Sequence, residues 1–279
     1  VTLSVPATIY VGLAVTSHND GVLATGTFDN VAIATAGSDS TPPTVPTGLA
    51  GTAERRSTLL PVATAGTGLK PHSVAIGDVN NDGALDIVTG NSDSNDASVL
   101  LGNGSGGFTL ASSPTVGLKP KTLGLGDVNK DGVLDLVVGN QDSNNLSILL
   151  GNGNGSYQAA VNYGACPRPH ELAIGDFNED SWPDVAVACQ FNTSVVGVFI
   201  NNGNGTFQPM VSYIAGSRPH SVVTADFNQD GHLDLAVANY AESTIGILAG
   251  AGDGTFGSSV KYASGGRPHS LRTADLNGD

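Results

Sequence analysis

The sequence predicts an all-β fold, and within that class a β-propeller of four-stranded antiparallel blades. Three observations point there. An acidic loop returns at intervals of 49, 49, 50 and 49 residues, the mark of a repeat architecture in which each repeat is one supersecondary unit. Each full interval holds four strand-like segments and an Asn-Gly turn. Long Glu/Lys/Leu-rich stretches are missing, whereas Val, Ile, Thr and Gly abound.

The interval opening at Arg168 shows the elements in order. "RPHELAIGD" is a short apolar strand entering the acidic loop, and "DVAVACQ" is the strand leaving it. After a polar connection, "SVVGVFI" reads as a third strand, "NNGNGT" as a hairpin turn and "FQPMVSYIAG" as a fourth strand. The first two strands are nearly continuous apolar runs, which predicts burial on both faces. On this reading four blades are complete and a further one has barely begun. Residues 59–68, "LLPVATAGTG", align with "FTLASSPTVG" from Phe108 and read as a lone fourth strand without partners. The expectation is an open arc whose exposed edges promote self-association.

The loops are "DVNNDGALD" from Asp78, "DVNKDGVLD" from Asp127, "DFNEDSWPD" from Asp176, "DFNQDGHLD" from Asp226 and a truncated "DLNGD" from Asp275. Oxygen-bearing side chains recur at positions 1, 3, 5 and 9. They are Asp78, Asn80, Asp82 and Asp86, then Asp127, Asn129, Asp131 and Asp135, then Asp176, Asn178, Asp180 and Asp184, then Asp226, Asn228, Asp230 and Asp234. The last loop offers Asp275, Asn277 and Asp279. The backbone carbonyl at position 7 (Ala84, Val133, Trp182 or His232) is a further candidate oxygen. Such hard ligands suit calcium, which takes about six to eight oxygens, better than magnesium, which prefers a rigid octahedron. A bare Asx-type turn is the plainer alternative, and the regular return of the motif argues against it. Strand-like flanks exclude a helix–loop–helix site. The third loop departs from the pattern, with Ser181 in place of the position-6 glycine and Pro183 before the last aspartate, so the weakest site is expected there.

Net charge is −14, and fourteen of the 25 acidic residues stand at positions 1, 5 or 9 of these loops. The acidity therefore belongs to cation sites and excludes the basic footprint of a nucleic-acid binder. No apolar run reaches the length of a membrane-spanning helix, which predicts no membrane insertion. "GNGSGG" from Gly102 precedes "FTLASSP" rather than a helix, so it reads as a hairpin turn and not a dinucleotide loop. No zincin, nucleophile-elbow or cysteine-nucleophile pattern is present. The main enzymatic alternative is a calcium-dependent polysaccharide lyase or hydrolase.

A triplet precedes every first strand: Lys70-Pro71-His72, Lys119-Pro120-Lys121, Arg168-Pro169-His170, Arg218-Pro219-His220 and Arg267-Pro268-His269. If the first strands line a central channel, these residues form a basic ring at the end opposite the loops. Such a ring can hold an acidic sugar or a partner's carboxylate. The structural alternative is that each bonds the neighbouring blade. The only cysteines, Cys166 and Cys189, replace residues that are otherwise glycine (Gly68, Gly117, Gly216, Gly265) and asparagine (Asn91, Asn140, Asn239). Both changes fall in one blade, which predicts a disulfide and an oxidising compartment. Two small buried thiols are the alternative.

The D-x-N-x-D-G-x-x-D loops and the "LLGNGNGSYQ" and "INNGNGTFQ" turns resemble bacterial FG-GAP (VCBS-type) repeats, related to the propeller of integrin α subunits, over residues 57–279. The resemblance implies a propeller, often seven-bladed, with calcium between the first two strands of a blade. It also implies an extracellular binding or adhesion module whose partner is a carbohydrate or a protein. Residues 1–36, including "IYVGLAVTSHNDGVLATGTFDNVAI", resemble the last strands of a concanavalin/laminin-G-type jelly roll. Residues 37–56 read as a Pro/Thr/Gly-rich linker, in which "TPPTVPTGLAGTA" resembles the opening of a fibronectin type III domain. The chain reads as a piece of a longer protein.

Overall fold

The computed structural model describes residues 65–191 and 194–274. The jelly-roll-like segment, the linker, most of the lone strand and the loop at Asp275 lie outside the described residues. Residues 65–68, the described end of that strand, are not in a sheet.

Sixteen strands and no helix occur among the described residues. The first blade is β1 (Pro71–Gly77), β2 (Asp86–Asn91), β3 (Asp96–Gly102) and β4 (Phe108–Ser112). The second is β5 (Pro120–Gly126), β6 (Asp135–Asn140), β7 (Asn145–Leu149) and β8 (Val161–Gly164). The third is β9 (Pro169–Gly175), β10 (Asp184–Cys189), β11 (Val195–Phe199) and β12 (Val211–Ile214). The fourth is β13 (Pro219–Ala225), β14 (Asp234–Asn239), β15 (Thr244–Leu248) and β16 (Val260–Ala263). Each is an antiparallel sheet whose strands follow chain order, as hairpin connections require. The first strands β1, β5, β9 and β13 lie side by side, so the blades fan about one axis in an open arc.

The core lies between blades. Val79, Val88 and Val99 of the first blade pack with Leu123, Leu136 and Leu149 of the second, and equivalent layers join the second to the third and the third to the fourth. Strands β6, β10 and β14 are buried along their whole length. The first strands are not, which corrects the expectation of burial on both faces. Val74 and Ile76 on β1 are exposed, whereas Leu123, the β5 counterpart of Val74, is buried against the first blade. A first strand buries its apolar side chains on the blade before it, and β1 has no such neighbour among the described residues.

The fourth strands are shorter than the sequence suggests. Only Val211–Ile214 of "FQPMVSYIAG" joins the sheet. Phe207 forms an isolated bridge with Asn201 and buries its ring edge-on to Tyr163, 5.7 Å between centroids. That ring packs the third blade against the second.

Candidate functional site

Each acidic loop connects the first and second strands of its blade, at the end of the arc to which the first strands run. In the first loop the Asp82 N–H donates to both Asp78 Oδ1 (3.1 Å) and Asn80 Oδ1 (3.2 Å), so these oxygens converge. Gly83 N–H donates to Asp78 Oδ2 at 2.8 Å, and Ala84 N–H to Asp82 Oδ1 at 2.8 Å. The same bonds recur at Asp127, Asn129 and Asp131, and at Asp226, Asn228 and Asp230. The Ala84 N–H, then the Asn80 amide, holds the exposed Asp82 carboxyl below its ordinary range, and His232 N–H and Asn228 do so for Asp230.

The position-9 aspartates do something the sequence did not reveal. Asp86 is fully buried, and its two oxygens accept the Val79 N–H and the Gly102 N–H, each at 2.8 Å. Asp135, Asp184 and Asp234 repeat the staple, tying the loop to the end of the third strand. Burial pushes the Asp135 and Asp184 carboxyls up to about 6, against the pull of those N–H donors. At Gly102 the chain passes so close that a Cβ would meet the Leu85 carbonyl at 2.2 Å.

The donor set fits calcium. Positions 1, 3 and 5 present oxygen only, two carboxylates and an amide, and the position-9 oxygens keep second lone pairs. In the third loop one carboxylate oxygen, Asp176 Oδ1, is buried with no hydrogen-bond partner. A buried carboxylate oxygen left bare is costly, and a cation there would offset that cost. Calcium bound there would supply charge compensation for carboxylates that otherwise repel. Position 4 links successive loops: Asn81 donates to the Gly132 carbonyl at 3.0 Å, the Lys130 ammonium lies 4.5 Å over Trp182, and Glu179 contacts His232.

The triplets lie at the other end of the first strands. Lys70, Lys119, Arg168 and Arg218 all take positive φ, from 55° to 56°. Each turns its carbonyl onto the N–H just past the second strand: Ser92, Gln141, Gln190 and Tyr240. Their charged ends stay local: Lys70 pairs with Asp93 and Lys119 with Asp142, both at 3.7 Å, Arg168 stacks on Phe191, and Arg218 and Arg267 lie over Tyr240. The third triplet residue sits on a bulge, the unpaired extra residue of its strand, at His72, Lys121, His170 and His220. Bulges re-aim side chains, and these turn toward one another along the arc. His72 contacts Lys121, and its pKa is lowered by burial and then by that ammonium. The His170 and His220 rings lie 4.5 Å apart, with His269 at 5.7 Å and 4.6 Å from them. Burial pushes His170 down to about 3 and His220 to about 4, keeping both rings neutral.

The loops mark the units that comparison finds. The FG-GAP-like repeat family matches residues 78–138, 127–187, 176–237 and 226–279, each match opening on an acidic loop. The chain belongs to this family. No curated protein sequence matches the chain. Among solved structures, this FG-GAP-like chain is similar to a functionally unknown protein from Desulfotomaculum acetoxidans DSM 771, with 18% identity over 72% of this chain and 60% of that one and a TM-score of 0.54. It is similar to BBS1N, crystallised in complex with ARL6DN, with 12% identity over 72% and 59% of the chains and a TM-score of 0.53. An Agrocybe aegerita protein that recognises non-reducing terminal N-acetylglucosamine gives 21% identity over 68% and 51%, with a TM-score of 0.48. The chain thus spans between 51% and 60% of the length of these neighbours, and at such identities the first two show the fold alone.

Within the repeat family pattern, the third blade is the one that deviates, and its deviations compensate one another. Ser181 takes φ 69° where Gly83, Gly132 and Gly231 take 84° to 94°. Asn201 replaces the staple glycine, and its amide donates to the Pro183 and Val128 carbonyls. Cys166 and Cys189 form a disulfide with Cα atoms 5.7 Å apart. In the other blades a Cβ on the matching glycine, Gly68, Gly117 or Gly216, would fall within 2.4 to 2.6 Å of the asparagine side chain or the polar groups bonded to it. A side chain at the glycine position therefore requires that the asparagine be replaced as well.

Proposed function

We propose that this chain is a calcium-binding β-propeller module of a secreted or cell-surface protein, serving in ligand binding or adhesion toward a carbohydrate or a protein. The observation that carries the reading is the convergence of the position-1 and position-3 oxygens on one N–H in the loops at Asp78, Asp127 and Asp226, with a bare buried carboxylate oxygen where the Asp176 loop breaks that pattern. One calcium per loop, weakest at Asp176, neutralises charges that the fold otherwise forces together. The disulfide supports an oxidising compartment, where such bonds persist.

Thermal unfolding in excess calcium and in excess chelator tests the metal. Calcium should raise the melting temperature, because a ligand held only by the native state stabilises it by mass action. An identical melting temperature in the two conditions overturns the reading. A glycan-array screen with and without calcium tests the carbohydrate arm, and calcium-dependent retention of a defined glycan is the expected result.

A further inference from the structure

We infer that His170, His220 and His269 form a site for a first-row divalent metal ion of borderline softness, with zinc as the reference case. One ring nitrogen from each lies within 4.8 Å of the others. Nitrogen donors select zinc, copper or nickel over calcium, so this site is chemically distinct from the oxygen-only loops at the opposite ends of the same strands.

Two features beyond proximity point to a metal. The first is the outer hydrogen bonding. His170 Nδ1 lies 2.8 Å from the His220 carbonyl, which makes Nδ1 the protonated nitrogen and leaves Nε2 free. Ligation through His220 Nδ1 requires the Nε2–H tautomer, in which the Gln190 amide, whose nitrogen lies 2.9 Å from Nε2, turns its oxygen to the ring and accepts that proton. Metal-ligating histidines nearly always engage their second nitrogen with a carbonyl or another polar group in this way, which orients the ring. The second feature is an unmet demand. His220 is only 4% exposed, and its Nδ1 is buried without a hydrogen-bond partner. Native folds rarely leave such an atom bare, and an ion at the centre of the three rings satisfies it.

The placement follows from the repeat. His170 and His220 are the bulged residues of β9 and β13, and His269 opens the next repeat, so three successive triplets each contribute one ring. The second blade has Lys121 in the same place, and its ammonium ends the run of imidazoles. His269 is exposed and already lies edge-on to His220 and His170. Its segment is already anchored by the Leu271 N–H to Ser221 Oγ at 3.0 Å and by Arg272 to Glu171 at 2.9 Å. A tetrahedral zinc needs nitrogens about 3.3 Å apart, so binding would draw the three rings together. Three protein ligands leave the fourth position to water or an anion, and Arg218 and Arg267 over Tyr240 supply positive charge beside it.

Zinc titration of the calcium-saturated protein, read by calorimetry and by competition with a chromogenic chelator, tests this. Saturating calcium keeps zinc out of the acidic loops. The expected result is one zinc per chain that His269→Ala abolishes. Gln190→Ala should retain that stoichiometry but weaken affinity about tenfold or more. Cobalt in place of zinc should give the visible absorption of a low-coordinate nitrogen site, absent in His269→Ala. Failure of the parent protein to bind zinc, or zinc affinity unchanged in His269→Ala, overturns the assignment. Because His269 is exposed, the substitution leaves calcium binding and the circular dichroism spectrum as in the parent, and the zinc and calcium readings fail independently.

Discussion

Reducing the Cys166–Cys189 disulfide should loosen the third blade by an amount the structure sets. The bridge closes a loop of 23 residues between the entrance to β9 and the end of β10. On the chain-entropy relation that closure is worth about 3.4 kcal/mol at 25 °C. In a repeat protein the loss is local, because each blade is held by itself and its neighbours. Amide hydrogen exchange in β9 and β10, oxidised against reduced, is therefore the assay. Protection there should fall about 300-fold on reduction, with β1 and β2 much less affected. A fall below about tenfold would refute the claim that the bridge acts through loop closure. Restoring the residues of the other blades should not rescue it. Cys166→Gly with Cys189→Asn places an amide where Val195 opens β11 and Gly197 follows. In the first blade the corresponding positions are Asp96 and Ser98, and both bond the Asn91 amide. Full recovery of protection in that double variant would show that the pairing was interchangeable after all.

Four further outcomes are expected. In calcium-free protein Asp86→Ala should cost about 2–6 kcal/mol, since two buried N–H donors lose their acceptor, while Asp82→Ala, at an exposed position, should cost much less; chemical denaturation separates them, and equal costs would mean that Asp86 is not a staple. Ser181→Gly should stabilise by about 1 kcal/mol, because a non-glycine residue at φ 69° is strained, and should strengthen calcium binding at the third loop; calorimetry of parent and variant checks both. Residue-resolved NMR should find His170 and His220 neutral at pH 5. Their folded pKa values, about 3 and 4, lie below the unfolded 6.5, so their stabilising contribution is present above pH 6.5 and is lost as pH falls toward those values; a midpoint near 6.5 for either ring contradicts the burial argument. Asp135 and Asp184, raised to about 6, act with the opposite sign in calcium-free protein: their contribution is present below about pH 3.8 and is lost as pH rises through 6, which carboxyl carbon shifts would follow directly.

The elements closest to the sequence were the most legible. Strands alternate with turns on a local pattern, so β9, β10 and β11 fall where "RPHELAIGD", "DVAVACQ" and "SVVGVFI" place them. Two expectations needed correction because they depended on neighbours. The first strands were read as buried on both faces from their apolar runs, yet Val74 and Leu123 share a position and differ in burial by whether a blade precedes them. Phe207 was read into a strand and instead leaves the sheet to fill a gap between blades.

By itself, the sequence determined the repeat, the number of full blades, the oxygen-bearing side chains at positions 1, 3 and 5, and the joint change at Cys166 and Cys189. All of these are matters of spacing within or between copies of one motif. Only the tertiary structure decided that position 9 is a buried staple, that position 4 reaches the next loop, and that three histidines 49 or 50 residues apart come within reach of one ion. Those facts depend on lateral contact between blades and on a bulge that turns one side chain per strand toward the next. A periodic pattern shows that such positions are equivalent. The packing angle between blades, set by the side chains buried between them, decides whether equivalent positions meet.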